Sequence, residues 1–288
     1  MDYLIHILCL AGIYSIAVLG FNFASGYTGL ISLSHGAFMG IGAYASAILL
    51  TSVGLSFPVA FLLGGLLAGL VAWLFSFVLL RLRDDSFVLV SFGFSFIVSD
   101  VLLNWQSLTN GALGLRGIPY PHITLLVENQ KLVFLLLIVV VLLVCFFFLR
   151  SILRSPYGVI IRATRENQKI TQIAGHDTDS YRRSVFVLSA IITGFAGVLL
   201  GSFISTIDPF FFNYHLSVLI LIMAIFGGLA SLWGSILGAT LLILLPEALR
   251  FIGLPSSILA ESQQIIYGFV LIVLMVYRPK GLLGEYKI

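Results

Sequence analysis

Apolar residues run through this 288-residue chain in long blocks, approximately 3–22, 36–53, 57–80, 87–105, 131–149, 184–205, 210–226, 235–252 and 262–278. A helix needs about 20 predominantly apolar residues to cross a hydrocarbon core of roughly 30 Å. Where no water can pair the backbone, a helix satisfies each N–H and C=O within its own segment. A membrane β-barrel would instead show alternating segments of about 10 residues, and that pattern is absent. The blocks therefore predict an all-α, polytopic helical membrane protein with about nine transmembrane helices in a single domain over 1–288. The block at 210–226 is short and led by Asn213 and His215, so a re-entrant course stays open there.

Composition agrees with the pattern. Sixty per cent of the residues are hydrophobic and 9% are charged, with a mean hydropathy of +1.12. A soluble chain carries roughly a quarter charged residues. The formal net charge of +3 comes with no basic run on a polar surface, so nucleic acid is not an expected partner. Cys9 and Cys145 lie in apolar blocks and read as small buried hydrophobes rather than a disulfide or metal pair. Met1-Asp2-Tyr3 provides no basic leader, so the first block reads as a retained helix rather than a cleaved signal.

Basic residues orient the spans, because Lys and Arg concentrate in cytoplasmic connections. Arg81 and Arg83 follow the third block, and Arg278, Lys280 and Lys287 follow the last. Arg150, Arg154, Arg162, Arg165, Lys169, Arg182 and Arg183 fill the connection at about 150–183. Nine crossings put all three clusters on one side, with the N-terminus outside and the C-terminus in the cytoplasm. Arg116, Lys131 and Arg250 fall against this scheme.

Two segments repeat. Gly29-Leu30-Ile31-Ser32-Leu33 leads through His35 to Gly36 and Gly40, and Gly228-Leu229-Ala230-Ser231-Leu232 leads through Trp233 to Gly234 and Gly238. Each reads Gly-Leu-x-Ser-Leu ahead of Gly-x-x-x-Gly opening an apolar helix. Paired interruptions in corresponding positions point to a transport pathway, for which Gly26, Gly29, Ser32, His35, Gly36, Gly228, Ser231 and Trp233 are the candidates. The competing reading of the glycine pairs is close helix packing.

The 150–183 connection is the one sizeable polar stretch. Ser155-Pro156 is a helix start and Gly175 a stop, which predicts an amphipathic helix between them. It either lies on lipid headgroups or docks a cytoplasmic partner. No phosphate-binding Gly-x-x-x-x-Gly-Lys-Ser/Thr loop occurs, nor does HExxH or a Cys/His cluster. No enzyme activity and no cofactor are expected. Asp100, Asp208, Glu247 and Glu261 fall near outer ends, as interface charges or as the lining of an outer vestibule.

Several stretches together resemble the permease subunits of branched-chain amino acid ABC transporters. They are Gly26-Tyr27-Thr28-Gly29-Leu30-Ile31-Ser32-Leu33-Ser34-His35-Gly36 and Leu108-Thr109-Asn110-Gly111-Ala112-Leu113-Gly114-Leu115-Arg116-Gly117-Ile118-Pro119. Arg154-Ser155-Pro156-Tyr157-Gly158, Arg162-Ala163-Thr164-Arg165-Glu166-Asn167, Ala174-Gly175, Gly227-Gly228-Leu229-Ala230-Ser231-Leu232-Trp233-Gly234 and Arg278-Pro279-Lys280-Gly281-Leu282 complete the set. The chain is most similar to the subunit carrying Leu-Arg-Gly-Ile-Pro. The resemblance implies a permease of a bacterial inner-membrane importer. Its partners would be a second permease subunit, two cytoplasmic ATPase subunits and a periplasmic substrate-binding protein, with membrane lipid around them. It also implies a coupling helix in the 150–183 loop, with Arg162, Arg165, Glu166, Asn167, Ala174 and Gly175 as the coupling residues. Asn110, Ala112 and Ser34 depart from the commonest family pattern, which leaves urea or amide importers as alternatives. A self-sufficient channel or ion-coupled carrier is the other class of transporter the residues allow.

Overall fold

The computed structural model describes residues 2–82, 84–120, 130–250, 268, 269, 272, 277, 278 and 280–284. The long blocks become helices α1 (Asp2–Thr28), α2 (His35–Thr51), α3 (Phe57–Leu79) and α4 (Asp84–Asn104). A short helix, α5 (Gln106–Thr109), precedes the two-residue strand β1 (Leu115–Arg116). Then come α6 (Gln130–Arg154), α7 (Pro156–Glu166), α8 (Gln168–Ile173) and α9 (Thr178–Ile204). Strand β2 (Thr206–Ile207) leads to α10 (Tyr214–Gly227) and α11 (Leu232–Arg250).

Five helices, α1, α3, α4, α6 and α9, are long and apolar enough to cross a membrane. Helix α2 has 17 residues, about 25 Å at 1.5 Å per residue. Helices α10 and α11 do not form the two straight crossings expected at 210–226 and 235–252. They meet at a bend of 118°, as a broken span or a re-entrant hairpin. The cause lies at residues 228–231, where Gly228 (φ +112) and Ala230 (φ +60) reverse the chain. Counting the bent pair as one span gives up to six crossings among the described residues, fewer than the nine expected. The block at 262–278 lies largely outside the described residues.

Helices α1 and α9 are the most enclosed, each with about two thirds of its most apolar window buried, whereas α3, α4 and α6 expose most of theirs. Helix α9 packs against α1, α2 and α3, and small residues bring the axes close. A side chain at Gly42 would overlap the backbone of Gly194, and one at Gly197 the backbone of Met39. Without a hydrophobic drive between helices in lipid, such close approach supplies the van der Waals contact that holds them.

The basic connections gather at one end of the bundle. The Arg183 guanidinium of α9 lies 4.2 Å from the Phe77 ring of α3. Arg165 of α7 reaches the last turns of α1, and Arg162 donates to the Leu153 carbonyl near the end of α6 at 3.2 Å. The amides of Leu282 and Leu283 donate to the carbonyls of Phe226 and Gly227, at 3.1 and 3.0 Å. This is the clustering that the Lys and Arg pattern predicts.

Elsewhere β1 and β2 pair antiparallel, Leu115 opposite Ile207 and Arg116 opposite Thr206, which ties the Leu-Arg-Gly-Ile-Pro segment to the end of α9. Asn110 stands there in the left-handed region (φ 62), which asparagine tolerates better than other non-glycine residues. Its side-chain amide donates to the Gly114 carbonyl at 3.1 Å. Asp208 accepts from the Phe210 amide at 2.7 Å, so this carboxylate caps a turn.

Candidate functional site

The two repeated segments interrupt the bundle differently. After α1 ends at Thr28, residues 29–34 turn back into the protein and α2 starts at His35 inside it. Gly29 and Ile31 are exposed, whereas Ser32, Ser34 and His35 are fully buried. Irregular backbone at this depth is tolerated only where protein groups pair it, and serines from three helices do so. Ser25 of α1 donates to the Leu30 carbonyl at 2.9 Å. From α4, Ser91 Oγ accepts from the Leu33 amide at 2.9 Å and Ser95 Oγ donates to the Leu33 carbonyl at 2.5 Å. Ser217 Oγ of α10 accepts from the Gly36 amide at 2.8 Å. His35 lies 3.3 Å from Ser189 Oγ of α9 and 3.3 Å from the Ser32 carbonyl. Its ring sits edge-on to Phe21 and Phe38, with centroids 5.0 and 6.0 Å away.

The second break, 228–231, depends on one side chain. Asn22 of α1 is fully buried. Its Nδ2 donates to the carbonyls of Gly228 and Ser231, both at 3.1 Å, and contacts Ser235 Oγ at 2.8 Å. Its Oδ1 accepts from the Ala230 amide at 2.9 Å. Ser231 itself caps α11, its Oγ accepting from the Gly234 amide at 3.0 Å. One helical turn beyond Asn22, Gly26 leaves room for the break, because a Cβ there would overlap Asn22 Oδ1 and the Ala230 backbone. Gly26→Val is expected to destabilise the protein by about 1–3 kcal/mol through overpacking. Thermal unfolding in detergent reads this against Gly93→Ala, at a position with open space around it, which should leave the transition where it is.

Both glycine pairs of the repeat lie at close helix contacts. Side chains at Gly36 and Gly40 would run into Ser217 and Phe212, and ones at Gly234 and Gly238 into the last turns of α10.

The basic elbow, 150–183, joins these breaks. Instead of one helix from 156 to 175, it holds α7 and α8, separated at Asn167, whose extended backbone (φ −157, ψ 102) stops α7. The Asn167 side chain then accepts from the Ile170 amide at 3.1 Å and starts α8. Gly175, in the left-handed region (φ +90), ends it. Arg165 is half-buried, and its guanidinium donates to the Gly26 carbonyl of α1. Arg162 is likewise turned inward, toward Leu153. Glu166, Asn167, Ala174 and Gly175 are exposed. So are Val159, Ile170 and Ile173, the last 86% exposed on an otherwise polar elbow.

The candidates Gly26, Gly29, Arg165, Gly228 and Ser231 thus come together around the ends of α1 and α10. Ser32, His35 and Gly36 form a separate, deeper group. Trp233 lies at the edge, 60% exposed, with its ring 4.9 Å from that of Phe146. Sequence reasoning missed Asn22, Ser91, Ser95, Ser189 and Ser217. A lone asparagine inside an apolar span was the signal for the first; serines in spans are too common to single out.

A multi-pass helical membrane protein with two interrupted helices, joined by an elbow at one end, is the class this architecture defines. The family of branched-chain amino acid transport system permease components matches residues 3–275, and the chain belongs to it. The permease protein LivM of the high-affinity branched-chain amino acid transport system of Escherichia coli is 30% identical over 97% of this chain and 69% of its own length. LivH of Salmonella typhimurium, from the system of the same name, is 25% identical over 96% of this chain and 92% of its own. A probable branched-chain amino acid transport permease of Methanocaldococcus jannaschii is 24% identical over 78% and 68%. No solved structure gives a significant match.

Proposed function

We propose that this chain is one of two different permease subunits of an ATP-driven importer for branched-chain amino acids. A periplasmic binding protein delivers the substrate, and two ATPase subunits dock on the elbow in the cytoplasm. The protein lies in the bacterial inner membrane with its N-terminus outside. The observation that carries the coupling role is the reach of Arg165 from α7 to the Gly26 carbonyl, one turn from the asparagine that holds the second break. A push on α7 therefore acts on α1 at that point. Transmitted through Asn22, that push changes the bend of α10–α11 about 228–231, in the manner of gating by rigid elements around broken helices. Substrate class rests on the relatives named above, all designated branched-chain amino acid permeases.

Docking on the elbow is supported by its exposed apolar side chains, Val159, Ile170 and Ile173, beside Glu166. Outside the membrane such residues suit a hydrophobic groove on a partner. In Glu166→Cys, disulfide cross-linking to cysteines placed on the ATPase subunit is expected, with a yield that changes between nucleotide-free and ATP-bound states. Absence of any cross-link in either state overturns the docking role. Ile173→Asp should weaken ATPase retention at least about tenfold, as for loss of a buried anchor, and leave unfolding of the permease unchanged.

A further inference from the structure

A cleft of 260 Å³ lies between the end of α6 and the second break, lined by Arg150, Arg154 and Arg162 together with Tyr27 and Trp233. A second cleft on the other flank shares Arg150 and Arg154 and adds Phe147, Ser151 and Ser155. Among the described residues no carboxylate pairs with Arg150 or Arg154. Arg162 is braced by its bond to the Leu153 carbonyl. Three arginines thus line one cleft with no carboxylate partner among the described residues, an arrangement suited to bidentate binding of a phosphate group.

The surface above the cleft identifies what carries that phosphate. Leu136, Val140, Leu143 and Phe147 follow one another at steps of four, three and four residues, and Arg150 and Arg154 continue the series by three and four. Residues so spaced share one face of a helix. All four apolar members are exposed. At 1.5 Å per residue this stripe is roughly 17 Å long, close to half of the roughly 30 Å hydrocarbon core. Trp233 stands beside the arginines, and tryptophan favours the headgroup level of a membrane. An anion attached to about one leaflet's depth of hydrocarbon is a phospholipid.

We propose that this cleft binds the headgroup of an anionic phospholipid, with the acyl chains along Leu136–Phe147. The leaflet is the one that meets the arginine-rich end. Because Ala230–Leu232 and Arg162 belong to the walls, the bound lipid touches both the second break and the elbow. The inference needs the protein only to lie in a membrane, so its failure would leave the importer reading standing, and the reverse.

Trp233 is the reporter. In the assembled transporter carrying Trp73→Phe and Trp105→Phe in this chain, with the partner subunits' tryptophans likewise replaced by Phe, Trp233 alone fluoresces. The complex is reconstituted in phosphatidylcholine vesicles with increasing phosphatidylglycerol or phosphatidylcholine brominated near the headgroup end of the acyl chain. Half-maximal quenching is expected at about a tenfold lower mole fraction of the brominated anionic lipid, given its attraction to arginines at the surface. Arg150→Gln with Arg154→Gln should bring the two lipids to within about twofold, while Arg150→Lys with Arg154→Lys keeps most of the preference. Equal quenching by both lipids in the unaltered arginine background overturns the proposal. So does relief of quenching by millimolar inorganic phosphate, which would mark a site for a soluble anion. Absence of quenching in the complex, with quenching of the isolated chain, would mean that a partner subunit covers the cleft, and overturns it as well.

Discussion

An Asn22→Leu variant is expected to abolish uptake by the reconstituted importer and to lower the thermal unfolding transition of the chain. Leucine has the branching and side-chain heavy-atom count of asparagine and fits a helix inside a membrane, so the helix itself is not at risk. What is lost is the partner of the Gly228 and Ser231 carbonyls, the Ala230 amide and Ser235 Oγ. Ser235 Oγ already donates to the Ser231 carbonyl at 3.1 Å and keeps that bond, but the Ala230 amide loses its acceptor. A buried polar group left unpaired costs about 1–3 kcal/mol, so a total on the order of 3 kcal/mol follows. Asn22→Asp separates the contributions. Neutral where it is buried away from water, it keeps an acceptor for the Ala230 amide and a single O–H donor for the two carbonyls, so its unfolding should fall between the two. An Asn22→Leu chain that unfolds and transports like the unaltered protein would remove Asn22 from the mechanism.

Arg165→Met should separate ATP hydrolysis from transport. The substitution retains the stem that packs near Gly29 and removes the donor to the Gly26 carbonyl. That carbonyl is one of the last four of α1, which have no donor within their own helix, so losing the arginine costs about 1–3 kcal/mol. The ATPase subunits are expected to remain bound and to hydrolyse ATP. Uptake per ATP hydrolysed should drop at least about tenfold, equivalent to 1.4 kcal/mol of lost coupling. Arg165→Lys, which reaches the same carbonyl with a single donor, should recover part of it. Uptake and hydrolysis falling together would instead mean that Arg165 serves docking.

The apolar blocks made the helical class and most helix positions legible, because hydrophobic length is nearly the whole requirement for a span. Ser155-Pro156 marked the start of the elbow helix for an equally local reason. The break at Asn167 was less visible, since an asparagine in a helical stretch either faces water or caps a new turn, and that choice rests on its neighbours. The repeat pointed to both interruptions. Their depth was not readable, because it is set by Ser91, Ser95, Ser189 and Ser217, which are remote in the chain. The fold of α10 back against α11 likewise turns on Ala230 adopting a left-handed conformation, for which alanine gives no sign. Arg165 was legible as part of the elbow, but its inward direction depends on how α7 lies across α1.

The serine-held loop between α1 and α2 also constrains biogenesis. The Gly36 amide pairs with a hydroxyl 181 positions further along the chain, and Leu33 relies on α4. A ribosome completes α1 and α2 long before it makes α10. Until then the Gly36 amide lacks its hydroxyl partner and is poorly suited to rest against lipid. The N-terminal hairpin therefore reaches its final pairing only once α10 has joined the bundle.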